Sequence, residues 1–132
     1  MHAIAKMLQS GQEAFWATEL EETLAHVQRL LNSRKGQAPS APQYGIDFGA
    51  DTLPDVLALL PQTEALIEST LVRALTAHEP RLTNWRPRAP TVLGPHSLTL
   101  LLHATWRRDP RAPAVAVDVH VAPAGRITVT SA

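Results

Sequence analysis

Between Thr18 and Asn32 the apolar residues Leu20, Leu24, Val27 and Leu31 recur at i, i+4, i+7 and i+11. That spacing stacks them on one face and predicts an amphipathic helix. Thr18 and Glu21 have the spacing of a capping box, and Glu19, Glu21 and Glu22 suit the positive end of a helix dipole. Arg29 and Arg34 lie towards the other end, where cations are favoured. Residues 33–52 lose the period: Gly36, Pro39, Pro42, Gly45 and Gly49 break it, and Tyr44 and Ile46 are the anchors that pin the loop to a core. A short helix is expected over Asp55–Leu60. A longer one is expected over Thr63–His78, with Leu66, Ile67, Leu71, Ala74 and Leu75 as its stripe. Pro80 ends it, because the residue before proline avoids helical angles.

After Pro80 the period shortens from helical to two. A short strand is expected over Leu82–Arg86 and a longer one over Ser97–Trp106, with Leu98, Leu100, Leu102 and Trp106 on one face. In Ala114–Val121 the valines 115, 117, 119 and 121 alternate with Ala116, Asp118 and His120. Pro123-Ala124-Gly125 then turns the chain into a last strand, Arg126–Thr130. The implied fold class is α+β: two or three helices, then an antiparallel meander on which they pack. Residues 18–132 read as one domain, preceded by an approach segment, residues 1–17.

Composition narrows the function. The 132 residues include no cysteine, which removes disulfide scaffolds, thiol catalysis and thiolate zinc sites and suits a reducing cytoplasm. No apolar stretch approaches the roughly 20 residues needed to span a bilayer, and the polar and charged residues Lys6, Gln9, Ser10, Gln12 and Glu13 after Met1 leave no signal-peptide core and cleavage site, so neither direct membrane insertion nor a signal peptide is expected. Twelve basic and twelve acidic residues give a formal net charge of zero, but the sum hides a gradient. Residues 1–79 hold ten acids against five bases, and residues 80–132 hold Asp109 and Asp118 against seven arginines. The polarity fits either complementation within one fold or an adaptor with two charged faces.

Candidate chemistry is sparse. There is no phosphate-binding glycine loop, metalloprotease helix or nucleophile elbow. His103 and His120, with Asp118, are candidates for a cross-strand pair, but zinc needs a third ligand, and an ordinary polar sheet face is the plainer reading. No metal and no cofactor is therefore expected. Glu79 is the one carboxylate that a neighbouring feature could bury, and a glycosidase needs two across a sugar-sized cleft. The plainer reading is a structural ion pair of Glu79 and Arg81 about Pro80. Trp85 among Arg81, Arg86 and Arg88, and Trp106 before Arg107 and Arg108, resemble nucleic-acid stacking residues. Trp106, however, continues the inward face of its strand, and a pI near 7.0 lacks the usual basic excess, so no nucleic-acid partner is expected.

Three strings in order carry a family resemblance: Leu30-Leu31-Asn32-Ser33-Arg34-Lys35-Gly36, then Pro42-Gln43-Tyr44-Gly45, then Glu79-Pro80-Arg81-Leu82, followed by strands. Over roughly residues 18–130 the chain resembles the baseplate wedge and sheath-initiator family of contractile injection machines. Within it the TssE-like type VI secretion subunits are most similar, with phage-tail and phage-like particle homologues as neighbours. Asn32-Ser33-Arg34 stands where the family usually has Asn-Thr-Arg, and Ile46-Asp47-Phe48-Gly49 where it has Leu-Pro-Asp-Leu. The resemblance implies a non-enzymatic baseplate part with a sheath handshake-like domain, monomeric alone and multi-copy when assembled. Its partners would be baseplate wedge proteins and sheath subunits, and it would template the first sheath ring by strand exchange. It implies that Glu79, Pro80 and Arg81 contact the wedge, and that Asn32, Arg34, Gly36, Tyr44 and Gly45 hold the loop in shape. The family's older lysozyme label, a peptidoglycan hydrolase centred on Glu79, lacks a second placed carboxylate.

Overall fold

A computed structural model describes the backbone of residues 2–132 and the side chains of residues 11, 13–88 and 91–132. Three helices precede four strands: α1 His2–Leu31, α2 Leu53–Leu57, α3 Glu64–His78, β1 Leu82–Gly94, β2 Ser97–Trp106, β3 Val115–Val121 and β4 Ile127–Ser131. The α+β class and the helices-then-meander order are those read from the sequence. Among the described residues no helix is long and apolar enough to cross a membrane.

The first helix differs from expectation at its start. It runs from His2 rather than Thr18, so Thr18 lies in its interior and forms no capping box with Glu21. Residues 2–17 contain no proline and are rich in Ala, Lys, Met, Leu, Gln and Glu, good helix formers, so nothing local ends the helix early. The expected face turns inward: Val27, Leu30 and Leu31 are fully buried, and Leu20 and Leu24 pack beside them. Trp16 extends this face onto Trp106, with ring centroids 5.0 Å apart.

The short helix α2 covers Leu53–Leu57 instead of Asp55–Leu60. Its start is defined chemically: the Asp55 N–H donates to the Thr52 hydroxyl at 3.2 Å, Thr52 N–H points back to the Asp55 carboxylate, and Pro54 occupies the first turn. In α3 the buried set is Ile67, Thr70, Leu71, Ala74 and Leu75. Leu66, expected in the stripe, is 47% exposed: Thr70, one turn on, takes the inward position.

The sheet has the order β1-β2-β3-β4, antiparallel throughout. Strand β2 has the bounds read from alternation, and β3 and β4 shift by one residue. Strand β1 is far longer than Leu82–Arg86. It continues through Pro87 and Pro90 because it lies at a sheet edge and absorbs two breaks in register, between Thr83 and Arg86 and between Arg88 and Val92. One face of the sheet carries Leu98, Leu100, Leu102, Ala104, Trp106, Val117, Val119, Val121, Ile127 and Val129, all buried with α1 and α3 in a single core. Full burial of each large side chain contributes roughly 1.5–3 kcal/mol.

Candidate functional site

Helix α3 ends at Pro80. Glu79, the residue before it, leaves helical geometry with φ −116° and ψ 86°, while its N–H still donates to Leu75 O at 2.9 Å. The turn sends the Glu79 side chain inward, where it is 0% exposed. A buried carboxylate without partners costs several kcal/mol. Here Oε1 accepts from the Arg81 backbone N–H at 3.2 Å and from Arg81 Nε at 2.8 Å. Oε2 accepts from Arg81 Nη2 at 3.2 Å and from Nδ1 of His26. A carboxylate offers about four lone-pair sites, so the acceptor capacity of Glu79 is filled.

His26 was not singled out by the sequence, although it lies between buried Thr23 and Leu30 on α1, in line with the inward stripe. The carboxylate can only accept, so Nδ1 is the donor. Nε2 lies 3.1 Å from the Tyr44 hydroxyl, a contact in which either group can donate. Tyr44 also sets its ring edge-on to His78, with centroids 5.4 Å apart. The relay Tyr44–His26–Glu79–Arg81 thus ties the loop after α1, α1 itself and the α3–β1 turn together.

Burial pushes the Glu79 carboxyl up, but hydrogen bonds from Arg81 and His26, with their charges, outweigh it and hold the group below the ordinary carboxylate value. The bond to Glu79 raises Arg81 in turn, against the opposing effect of burial. For Tyr44 burial dominates and raises the phenol, partly offset by Arg29.

What this turn shows outward is Pro80, exposed, and Arg81, whose side chain is 33% exposed. Arg107 braces it: Nε donates to Pro80 O at 2.9 Å and its backbone N–H to Arg81 O at 3.1 Å. Beside the turn, Trp16, Glu19, Trp106 and Arg108 help to bound a cavity of about 400 Å³. Arg108 lies 5.3 Å from the centre of the Phe15 ring, in cation–π geometry.

The loop after α1 closes by backbone. Arg34 and Ile46 form a parallel bridge, with Ile46 N–H donating to Ser33 O at 2.9 Å and Lys35 N–H to Ile46 O at 3.0 Å. Gly45 has φ +116°, and a Cβ there would meet Arg34 C at 2.6 Å and Ser33 O at 2.7 Å. Only glycine permits that approach. Gly36 has φ +88° in open space, and its N–H donates to Pro42 O at 2.8 Å. Arg34 contributes through its backbone, exchanging bonds at 3.0 Å with the Gln37 side chain and backbone. Asn32 acts elsewhere. Its amide donates to Ile127 O at 2.8 Å and accepts from Ile127 N–H at 2.9 Å, so it binds the edge of β4.

Other candidates separate. His120 pairs across β2 with Thr99, and its Nδ1 lies 2.8 Å from the Thr99 hydroxyl, whereas His103 sits opposite Arg86 and Ala116. The two histidines are therefore not cross-strand neighbours, and among the described residues no group of three His, Asp or Glu side chains assembles for a metal. Asp118 lies opposite Leu101 on the sheet face turned away from the helices, so it cannot face Glu79 across a cleft. Trp85 and Trp106 are 7% and 4% exposed and belong to the core, which leaves no stacking platform between the arginines.

No curated protein matches the chain. A chain from "The baseplate complex from the type VI secretion system" is similar in structure, with a TM-score of 0.63 and 19% sequence identity. That likeness covers 79% of this chain and 93% of that chain, and at this identity it is a likeness of fold. The family described as Baseplate wedge protein gp25 matches residues 18–111, which hold the C-terminal part of α1, helices α2 and α3, the buried Glu79 turn and the first two strands. On that match the chain belongs to the baseplate wedge family, as a structural baseplate protein.

Proposed function

We propose that this protein is the TssE-like subunit of a type VI secretion baseplate, joining wedge proteins to the first ring of sheath subunits. The observation that carries the reading is the Glu79-Pro80-Arg81 turn: a fully buried carboxylate, four donors upon it, and Pro80 and Arg81 held at the surface. A carboxylate so fully engaged is suited to positioning rather than to proton transfer, which supports a non-enzymatic role. Glu79 offers no surface of its own. Its part in wedge binding is to fix the planar guanidinium of Arg81, which suits a carboxylate or carbonyl on the partner. The assembly takes place in the cytoplasm, with the protein monomeric beforehand and present in several copies afterwards.

Mixing the purified protein with wedge proteins and sheath subunits of the same machine tests this. Arg81→Ala should weaken wedge binding of the folded protein and should also lower the melting temperature, because it strips two donors from the buried Glu79 carboxylate. Normal sheath tubes in cells lacking the gene would sink the proposal. Co-purification with a phage-like particle's wedge instead would move the same role to that machine.

A further inference from the structure

Beside the Glu79 turn, helix α1 and the end of β2 share the cavity of about 400 Å³. Trp16 and Trp106 meet there at a tilt of 40°. The wall is apolar where Trp16, Trp106 and Pro80 line it, and cationic where Arg81, Arg107 and Arg108 do. Ligand pockets span roughly 300–1,000 Å³, so this cleft is at the small end and suits a side chain or two.

The three arginines are not equivalent. Arg81 is held by Glu79, and Nε of Arg107 by Pro80 O. Arg108 is exposed and, among the described residues, its side chain makes no hydrogen bond or ion pair. What steadies it is the ring of Phe15, itself 43% exposed, at 5.3 Å. An aromatic ring attracts a guanidinium without using its N–H donors, so the planar fork stays available to an oxygen acceptor. Glu79 neutralises Arg81, which leaves Arg107 and Arg108 facing one carboxylate, Glu19, among the residues that line the cleft. The cleft therefore keeps a net positive charge beside its apolar wall.

A positive rim on a small apolar pocket complements a protein segment in which an apolar side chain stands next to Asp or Glu. Nucleic acid fits less well, because bases stack on open aromatic faces, and Trp106 is 4% exposed and packed on Trp16. We propose that the cleft seats an acidic segment of the wedge partner, with an apolar side chain against Trp16 and Pro80 and a carboxylate on Arg108. This rests on the reading that the wedge docks at the Arg81 turn. It adds a second half to that surface, from α1 and the end of β2, and the chemistry of the occupant.

The test is binding of the full chain to purified wedge proteins of the same machine. Arg108→Glu should lower affinity about tenfold or more at low salt and flatten its salt dependence, with the melting temperature close to that of the wild type. Glu19→Gln, which removes the opposing charge, should raise affinity severalfold. Unchanged affinity in Arg108→Glu, or a fall in Glu19→Gln, overturns the inference, and weakened binding by Arg81→Ala in the same assay leaves the parent reading standing. Wild-type protein that binds no wedge protein refutes both. A duplex DNA oligonucleotide bound by the wild type and lost in Arg108→Glu, with wedge affinity equal in the two, assigns the cleft to phosphate and overturns the proposal.

Discussion

His26 of α1 hydrogen-bonds the carboxylate of Glu79, fifty-three residues further along the chain. Removing this donor leaves a buried acceptor short of a partner, which costs about 1–3 kcal/mol. His26→Leu should lower stability by that amount in urea titration. Glu79→Ala should cost more, about 3 kcal/mol, the low end for a broken buried pair because partly exposed Arg81 can turn to water. Equal, negligible losses in both variants would show that the relay contributes nothing to folding.

The same carboxylate predicts how the protein responds to acid. The folded-state value of Glu79 lies below its ordinary 4.5, so its contribution is complete above that pH and is lost as the pH falls through and below it. Asp47, lowered by the Gly49 N–H and by Lys35, acts with the same sign from an exposed position. Melting temperature should therefore drop as the pH is lowered from 5 to about 3. Glu79→Gln should start lower and show a flatter acid limb. An identical slope in the two proteins would remove Glu79 from the account.

Two glycines in the loop separate conformational cost from steric cost. Gly36→Ala meets no atom within 4 Å and carries only the penalty of positive φ, about 1–2 kcal/mol. Gly45→Ala adds a collision with backbone at 2.6–2.8 Å, and backbone cannot step aside as a flexible side chain can. Its loss should exceed about 3 kcal/mol. Denaturation midpoints of the two variants, compared side by side, check the order.

Asn32 offers a third contrast. Asn32→Ala leaves the Ile127 N–H and carbonyl without their partner, for a loss of about 1–3 kcal/mol. Asn32→Asp retains an acceptor for the N–H but sets a carboxylate against the carbonyl, so it should not rescue. Amide exchange at Ile127 should accelerate in both variants.

Much of this architecture was legible along the chain, and the exceptions share a cause. Strand β2 stands where alternation put it, because its buried leucines and half-buried threonines follow the pleat without interruption. The start of α1 was illegible, since Thr18 and Glu21 have a capping pattern that nothing in the helical stretch before them requires. Strand β1 was cut short because prolines usually end strands, and only its edge position reveals that their missing N–H groups cost nothing. Glu79 and Arg81 are close in sequence and were readable as a pair. His26 was not, because a single histidine on a helix gains meaning only from a partner that folding brings to it. Asn32 looked like part of a loop, yet its amide binds a strand ninety-five residues away.

The helix that holds these pieces has a mechanical consequence. His26 secures the turn that shows Arg81, and Gln28 and Asn32 secure the edge of β4. These three anchor points lie within about 9 Å along one helix axis, at roughly 1.5 Å per residue. A pull on the sheet and a pull on the arginine turn are therefore carried by the same few peptide units. Load passes between the arginine turn and the β4 edge through this short stretch of helix.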